Sequence, residues 1–461
     1  MTTPGLLDPR GGAGPTWRST SPGGGTAGVG RVTSTSPRHV PSHLELLSAP
    51  VDAAAAEPGD AAAAAPLTVV PTCRPVRPEG PGIGTAIDLA RAGHVHRLLF
   101  LVSKDAATPQ SVAALQELVA RGLPGEVPTM ILALRSAPRV RAVFDVDRLP
   151  LTSAFRRYAR GRAAIAPGVN EVGIKRNVAL LIARSLELDR ILFLDDDIRP
   201  MPPGCPSTGT LDGARLAAAS AELDRGRSVV GWILRGYDDN SVVCRAARLA
   251  GVEQRQFIGG GALLAGVGAE TPFFPAIYNE DWLFLLGMLD PNRPPSQVFG
   301  CAGEVLQDPY DGYAPRRARA EELGDILGEG LMGLLHGPAN AITEIPGHRF
   351  WREVVDDRRL MITDLRRRLA ARSTQDPQVG RAGQALDAAL AVHAAIGARR
   401  SFWIDQFVRY VAGWQTDLEE WARQMTKVVG TPVDEVARGA VLASCDVFDI
   451  VDSTGPGAWR R

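Results

Sequence analysis

Cysteine is scarce and scattered in this chain. Cys73, Cys205, Cys244, Cys301 and Cys445 stand far apart. Their spacing offers neither a zinc pattern nor a disulfide framework, and the count is odd. Reduced and mostly buried thiols are the expectation. A surplus of one charge is also missing, since Lys+Arg and Asp+Glu each number 51 and the formal net charge at pH 7 is zero. A protein that grips nucleic acid or an anionic membrane by its phosphates needs a basic excess, so those partners are disfavoured. No run of about 18 uncharged apolar residues occurs, and no membrane span is expected. The opening Met1-Thr2-Thr3-Pro4-Gly5 has neither a basic nor an apolar leader region. The expectation is a cytosolic chain without a signal peptide. P-loop, Gly-x-Ser-x-Gly, HExxH and RNA-binding aromatic signatures are all lacking.

What remains is enough to fold: 461 residues, 45% of them hydrophobic, suffice for a sizeable core and more than one domain. Residues 1–65 are rich in Gly, Pro, Ser, Thr and Ala. Such a stretch has too little large apolar surface to offset its ordering entropy, and it reads as a disordered tail. From about 66 to 315, short apolar runs alternate with helical patterns, the signature of an α/β domain with a mostly parallel sheet. Strands are expected at Leu67–Val70 (stopped by Pro71), His96–Ser103, Thr129–Leu134, Arg190–Leu194 and Ser228–Leu234. Helices are expected from about Ile83 to Ala92 and from Lys175 to Leu188, where Val178, Leu181, Ile182 and Ser185 share a face. From 316 to 461 the pattern is mainly helical, and a C-terminal α-helical subdomain is expected.

Ile191-Leu192-Phe193-Leu194 runs directly into Asp195-Asp196-Asp197. In open α/β sheets, ligands bind beyond the carboxyl ends of the strands. Adjacent carboxylates repel one another unless a cation or donors share their charge. Mg2+ and Mn2+ take carboxylate and phosphate oxygens, so a metal–diphosphate site is the chemistry this placement suits. A solvated acidic loop capping the next helix is the competing reading.

At this point the chain resembles the GT-A-fold glycosyltransferases, in particular the inverting family 2 type, over about residues 67–312. Five blocks carry the resemblance in order. Val69-Val70-Pro71-Thr72-Cys73-Arg74 resembles the opening strand, and the likeness implies that Pro71, Thr72 and Arg74 lie along the nucleotide. Leu101-Val102-Ser103-Lys104-Asp105 ends the next strand and makes Asp105 a candidate near the base, with a plain turn as the alternative. Gly173-Ile174-Lys175-Arg176-Asn177 resembles the segment that opens the helix before the acidic tract. Cations do not help a helix N-terminus, so Lys175 and Arg176 make more sense facing a ligand. The tract itself is similar to the family's acid-x-acid motif, which implies metal binding by Asp195 and Asp197, with Asp196 on the ribose or sugar side. Phe257-Ile258-Gly259-Gly260-Gly261-Ala262 and Tyr278-Asn279-Glu280-Asp281-Trp282 resemble the acceptor-side loop and its acid pair. Glycine permits close approach to a ligand at Gly260. The resemblance makes Asp281 the general base and Glu280 its support. A helix N-terminal acid pair is the alternative.

Other signals carry less. Gly80-Pro81-Gly82-Ile83-Gly84 lacks dinucleotide-fingerprint spacing and reads as a loop-to-helix entry. Asp238-Asp239-Asn240 reads as a turn. His336 is a candidate third metal ligand, against the alternative of a core histidine; His348 is weaker. The resemblance implies a GT-A, Rossmann-like domain and a hexosyltransferase-like activity. A sugar would move from a UDP- or GDP-linked donor to an acceptor hydroxyl, with Mn2+ or Mg2+ and with inversion. A retaining relative would fit the same tract. The alternatives are a sugar-phosphate nucleotidyltransferase, whose opening Gly-rich segment is replaced here by Pro71-Thr72-Cys73-Arg74, and a non-catalytic nucleotide-sugar-binding or scaffold protein.

Overall fold

The computed structural model describes residues 43–51, 65–76, 80–123, 125, 127–134, 171–202, 209–235, 241–252, 257–307, 313–336, 342, 345–372, 376–437, 448–453 and 459. Among them, nine strands form one sheet. They are β1 (Leu67–Thr72), β2 (Arg97–Val102), β3 (Thr129–Leu134), β4 (Arg190–Leu194), β5 (Ile198–Pro200), β6 (Val229–Arg235), β7 (Ile258–Gly266), β8 (Phe299–Gln307) and β9 (Phe448–Ser453). Their order across the sheet is β5-β8-β6-β7-β4-β1-β2-β3-β9. β1 to β4 run parallel to one another. β6 and β8 share that direction, because β7 opposes both β4 and β6. Only β5, β7 and β9 run the other way, so the sheet is mixed but mostly parallel. Leu-Leu-Phe-Leu-Val in β2 and Ile-Leu-Phe-Leu in β4 are continuous apolar runs because both faces of these central strands are covered.

The described helices are α1 (Pro81–Arg91), α2 (Pro109–Gly122), α3 (Glu171–Ser185), α4 (Gly213–Asp224), α5 (Val242–Leu249), α6 (Glu280–Gly287), α7 (Pro295–Val298), α8 (Pro315–Leu334), α9 (His348–Ala370), α10 (Pro377–Ala398), α11 (Arg400–Lys427) and α12 (Val433–Ala437). One sheet face packs Leu98, Phe100, Leu192 and Trp232 against Ile83 and Ile87 of α1, Leu115 of α2 and Leu216 of α4. The other packs Leu99, Phe193 and Leu263 with α3 and with Trp403, Tyr410, Trp414 and Trp421 of α11. A separate cluster joins Val242 and Ala246 of α5 to Ile362 and Leu365 of α9 and Leu386 and Ala389 of α10. No described helix is long and apolar enough to cross a membrane.

The sequence pattern points to neither β5 nor β8, and Ile258–Ala262, expected as part of a glycine-rich loop, opens β7. Three further features differ from the sequence expectations. Pro71 does not stop β1, which continues to Thr72. β1 pairs with β4 only over Leu67–Val69, while Pro71 lies opposite Leu101 of β2, so the missing N–H falls beyond the β4 ladder. Residues 43–51, assigned by composition to the tail, are packed: a 3-10 turn spans His43–Leu46, and Leu46, Leu47 and Val51 are buried. Ser48 N–H donates to Phe299 O and Val51 N–H to Cys301 O, which lays this segment along β8. The rest of the tail, 1–42 and 52–64, lies outside the described residues, as does Asp238-Asp239-Asn240. Finally, the mainly helical C-terminal stretch ends in β9, paired antiparallel with β3 at the sheet edge.

Candidate active site

The parallel strands deliver their carboxyl ends to one edge of the sheet, and because β7 is antiparallel to β4, its amino end arrives there too. Leu194 lies opposite Ala262, and Asp195 N–H donates to Gly261 O at 2.9 Å, which sets the acidic tract beside the glycines of β7. α1 closes the other side. Gly82 N–H donates to Asp196 O at 3.1 Å, and a Cβ on Gly82 would fall 2.1 Å from Asp195 O. Only glycine admits this helix entry against the tract.

The three aspartates turn to different partners. Asp195 accepts from Arg176 Nη2 through both carboxylate oxygens, at 2.9 and 3.1 Å. Arg176 Nη1 meets Glu280 Oε1 at 3.1 Å, and the guanidinium lies over the Phe274 ring, 5.4 Å from its centroid. Burial disfavours the Arg176 charge, but Asp195, Glu280 and Asp281 outweigh it and hold its pKa above the usual guanidinium value. Burial, opposed by Arg176, pushes the Asp195 carboxyl up. Asp196 accepts from Thr72 Oγ1 and Arg74 Nη2 at the end of β1. The same Arg74 nitrogen is 3.4 Å from Asp197 Oδ2, and Gln307 Nε2 at the end of β8 is 3.3 Å from that oxygen. The expectation paired Asp195 with Asp197 and set Asp196 apart. Here one half-exposed guanidinium joins Asp196 to Asp197, while Asp195 belongs with Arg176.

Asp281 is brought to the same place. It is the second residue of α6, its Oδ2 accepts from Gly260 N–H at 2.9 Å, and its Oδ1 accepts from Trp282 N–H at 2.9 Å. Gly260 also makes room for Arg176, since a Cβ there would fall 2.3 Å from Nη1. Lys175 is wholly buried and donates to Thr72 O at 2.7 Å. Burial pushes its ammonium down to about 8.

That shift has a measurable sign. Between about pH 8 and the unfolded lysine value near 10.4, the unfolded chain binds more protons than the folded one, so Lys175 makes stability rise with pH in that window. The Lys175→Met variant should show a flatter profile than the parent in urea titrations at pH 7.5 and 9.5. Identical slopes would mean that Lys175 does not titrate in that range.

Other expected site residues lie differently. Both polar atoms of the Asn177 amide are engaged by the Phe274 backbone, at 2.8 and 2.7 Å, so this side chain pins the 272–277 segment. Asp105 is exposed in the short 3-10 turn Lys104–Ala107. Its neighbours make the link instead: Ser103 Oγ donates to Glu171 Oε2 at 2.8 Å and Lys104 Nζ is 3.5 Å from the same oxygen. His336, expected as a third metal ligand, meets other groups here. Its ring nitrogens are engaged by Glu45 and by His43 Nδ1, the latter at 2.7 Å. Its backbone sits at the end of α8, where the packed 43–51 segment meets it. Trp282 packs on His43, ring centroids 5.2 Å apart. His348 is exposed, 3.7 Å from Asp405. Sequence reading missed Glu171, Gln307 and Gly82, whose roles come from pairings with strands far away in the chain.

Asp195, Asp196, Asp197, Glu280 and Asp281 thus bring five carboxylates to a region where Arg74, Lys175 and Arg176 supply three cations, an excess of two negative charges. Among the described residues, no three His, Cys, Asp or Glu side chains converge as a complete metal cage.

No family model matches this chain, and none of the curated proteins does. Solved structures similar to it include glucosyl-3-phosphoglycerate synthase from Mycobacterium tuberculosis, 17% identical, covering 58% of this chain and 82% of that one with a TM-score of 0.31. The same synthase in complex with Mn2+, UDP-glucose and phosphoglyceric acid is 17% identical over 55% of this chain and 78% of that one, with a TM-score of 0.29. A mannosyltransferase from Pyrobaculum calidifontis in complex with GDP-mannose and Mn2+ is 12% identical over 82% of this chain and 92% of that one, with a TM-score of 0.35.

Proposed function

We propose that this edge of the sheet binds the diphosphate of a nucleotide sugar together with a divalent ion, and that the sugar passes with inversion to an acceptor hydroxyl deprotonated by Asp281. The observation that carries the reading is the convergence of Arg74, Lys175, Arg176, the acidic tract, Gly260 and the Glu280-Asp281 pair on one edge with a doubly negative excess of charge. A divalent cation balances that excess. Mg2+ and Mn2+ use one or two protein carboxylates and complete their shell with phosphate and water, so the lack of a full protein cage suits an ion that arrives with the diphosphate.

Asp197 and Asp196 are the pair we assign to the ion, because Arg74 already bridges them as a cation would. When bound, the ion would neutralise charge on the departing diphosphate. Arg74, half-exposed, would then turn to the phosphates, with Lys175 behind it. Asp281 is held by Gly260 N–H while Arg176 ties Asp195 and Glu280 beside it. The acceptor O–H proton passes to the Asp281 carboxylate as the oxygen bonds to the anomeric carbon. The bond from that carbon to the diphosphate breaks, and its electron pair leaves with the nucleoside diphosphate.

A panel of UDP- and GDP-linked sugars, scored for thermal stabilisation with and without Mn2+ and for nucleotide release, tests this. At a hundredfold excess over Kd, the matching donor should stabilise the protein by about 2.7 kcal/mol. Asp197→Ala should lose the Mn2+-dependent part. Stabilisation by no donor, together with an indifferent Asp197→Ala, would sink the transferase reading. Pyrophosphate release from a nucleoside triphosphate would favour the nucleotidyltransferase.

A further inference from the structure

Behind the acid pair, inside the helical region, lies a buried ionic cluster that the chemistry above does not use. Arg358 of α9 meets Glu322 of α8 through Nε at 2.6 Å and through Nη2 at 3.1 Å. Its Nη2 also donates to Asp325, and its Nη1 is 2.9 Å from Glu329. His393 of α10 places Nε2 2.7 Å from Glu322 Oε1. Glu322, Asp325, Arg358 and His393 are each at most 4% exposed.

The cluster reaches outward to α5, where Ser241 hydrogen-bonds Asp325 and Cys244 Sγ is 3.6 Å from Glu329 Oε1, and it also reaches toward the acid pair. Asp325 Oδ1 accepts from Asn279 Nδ2 at 3.1 Å. Asn279 is the residue before Glu280-Asp281 and caps α6 in the left-handed conformation, φ 62° and ψ 33°. Asparagine tolerates that region, yet it does not require it. α8 is shaped to receive the turn: a Cβ at Gly324 would fall 2.1 Å from Tyr278 O, and one at Gly328 would fall 3.0 Å from Asn279 Nδ2.

We propose that Asp325, braced by Arg358 and Glu322, is a positioning residue: through Asn279 it fixes the turn that aims Asp281 at the acceptor. Desolvation offsets most of what a buried ion network gains, so stability alone is a weak reason to keep one. Beside its contacts with Ser241 and Cys244, this network holds one link that stability does not explain, because Asn279, which Asp325 ties down, is the residue preceding the acid pair. The helices thereby set the geometry of a strand-edge site. The inference rests on the reading of Asp281 as the base.

Asn279→Gly tests it, because glycine takes the left-handed turn without strain and removes only the tether. Deuterium uptake of the full-length protein without nucleotide reads the geometry directly: the Gly260 amide, held by Asp281 Oδ2, should exchange faster, while α9 and α10 stay unchanged. Nucleotide release from UDP-glucose and GDP-mannose with Mn2+, run in parallel, reads the consequence. With the donor that turns over, kcat should fall roughly 10- to 100-fold with KM for that donor unchanged. The exchange of partners in Asn279→Asp with Asp325→Asn restores a hydrogen bond of opposite sense, and it should recover most of both losses. Unchanged Gly260 exchange in Asn279→Gly would overturn the proposal, as would a swap that recovers nothing while the protein stays folded. If Asp281→Asn keeps full turnover, the base assignment fails instead, and the exchange data still report whether Asp325 holds the turn.

Discussion

Asp281→Asn should lower the turnover of nucleotide sugar by roughly 10²- to 10⁴-fold, the range a positioned general base contributes. The amide oxygen can still accept from Gly260 N–H, so the contact with β7 keeps its place, but no group at that point can take the acceptor proton. Donor stabilisation with Mn2+ should therefore survive. Glu280→Gln is the companion variant: it weakens the ion pair with Arg176 without removing the base, so its loss should be the smaller one. Steady-state release kinetics with the matching donor separate the two. Turnover of Asp281→Asn within twofold of the parent would remove Asp281 from the chemistry.

Arg176→Met should cost about 3–5 kcal/mol of folding stability, because removing one partner of a buried ionic group leaves the other uncompensated. Asp195 accepts twice from that guanidinium and Glu280 once, and Asp281 adds to the same field. With Arg176 gone, Asp195 loses the guanidinium that opposes its burial, and its carboxyl is pushed further above the unfolded value. The folded state then binds more protons, so the deficit should shrink as pH falls toward 5.5. Urea denaturation at pH 7.5 and 5.5 measures both effects. A loss under 1 kcal/mol at pH 7.5 would show that the cluster is carried by solvent rather than by Arg176.

The strands of this protein were largely legible because continuous apolar runs such as those of β2, β3 and β4 have one comfortable fate, a sheet covered on both faces. Pro71 and β9 were not, since each depends on which neighbour a strand acquires. The packed 43–51 segment was hidden because its apolar residues sit within a long Gly/Pro-rich stretch that dominates any average. The acid tract was legible from its place after a strand, and Arg176, Gly260 and Asp281 through the resemblance; in the structure they meet. How Asp195, Asp196 and Asp197 divide their partners could not be read, because Arg74 and Gln307 reach them from β1 and β8. Asn177 and His336 carry ligand-like chemistry but are occupied by Phe274 and by His43 with Glu45. Nothing local in the sequence announces either occupation.

The pairing of β9 with β3 has a consequence for synthesis on the ribosome. Met130 lies opposite Ser453, so more than three hundred residues must emerge after β3 before its outer edge is covered. Until then β3 presents a row of unpaired backbone donors and acceptors, a template for strands of other chains. Such distant pairing is slow to form, and its late arrival lengthens the exposure of the nascent protein. The nascent chain should therefore depend on holding chaperones most in the interval between the completion of β3 and the release of residue 453.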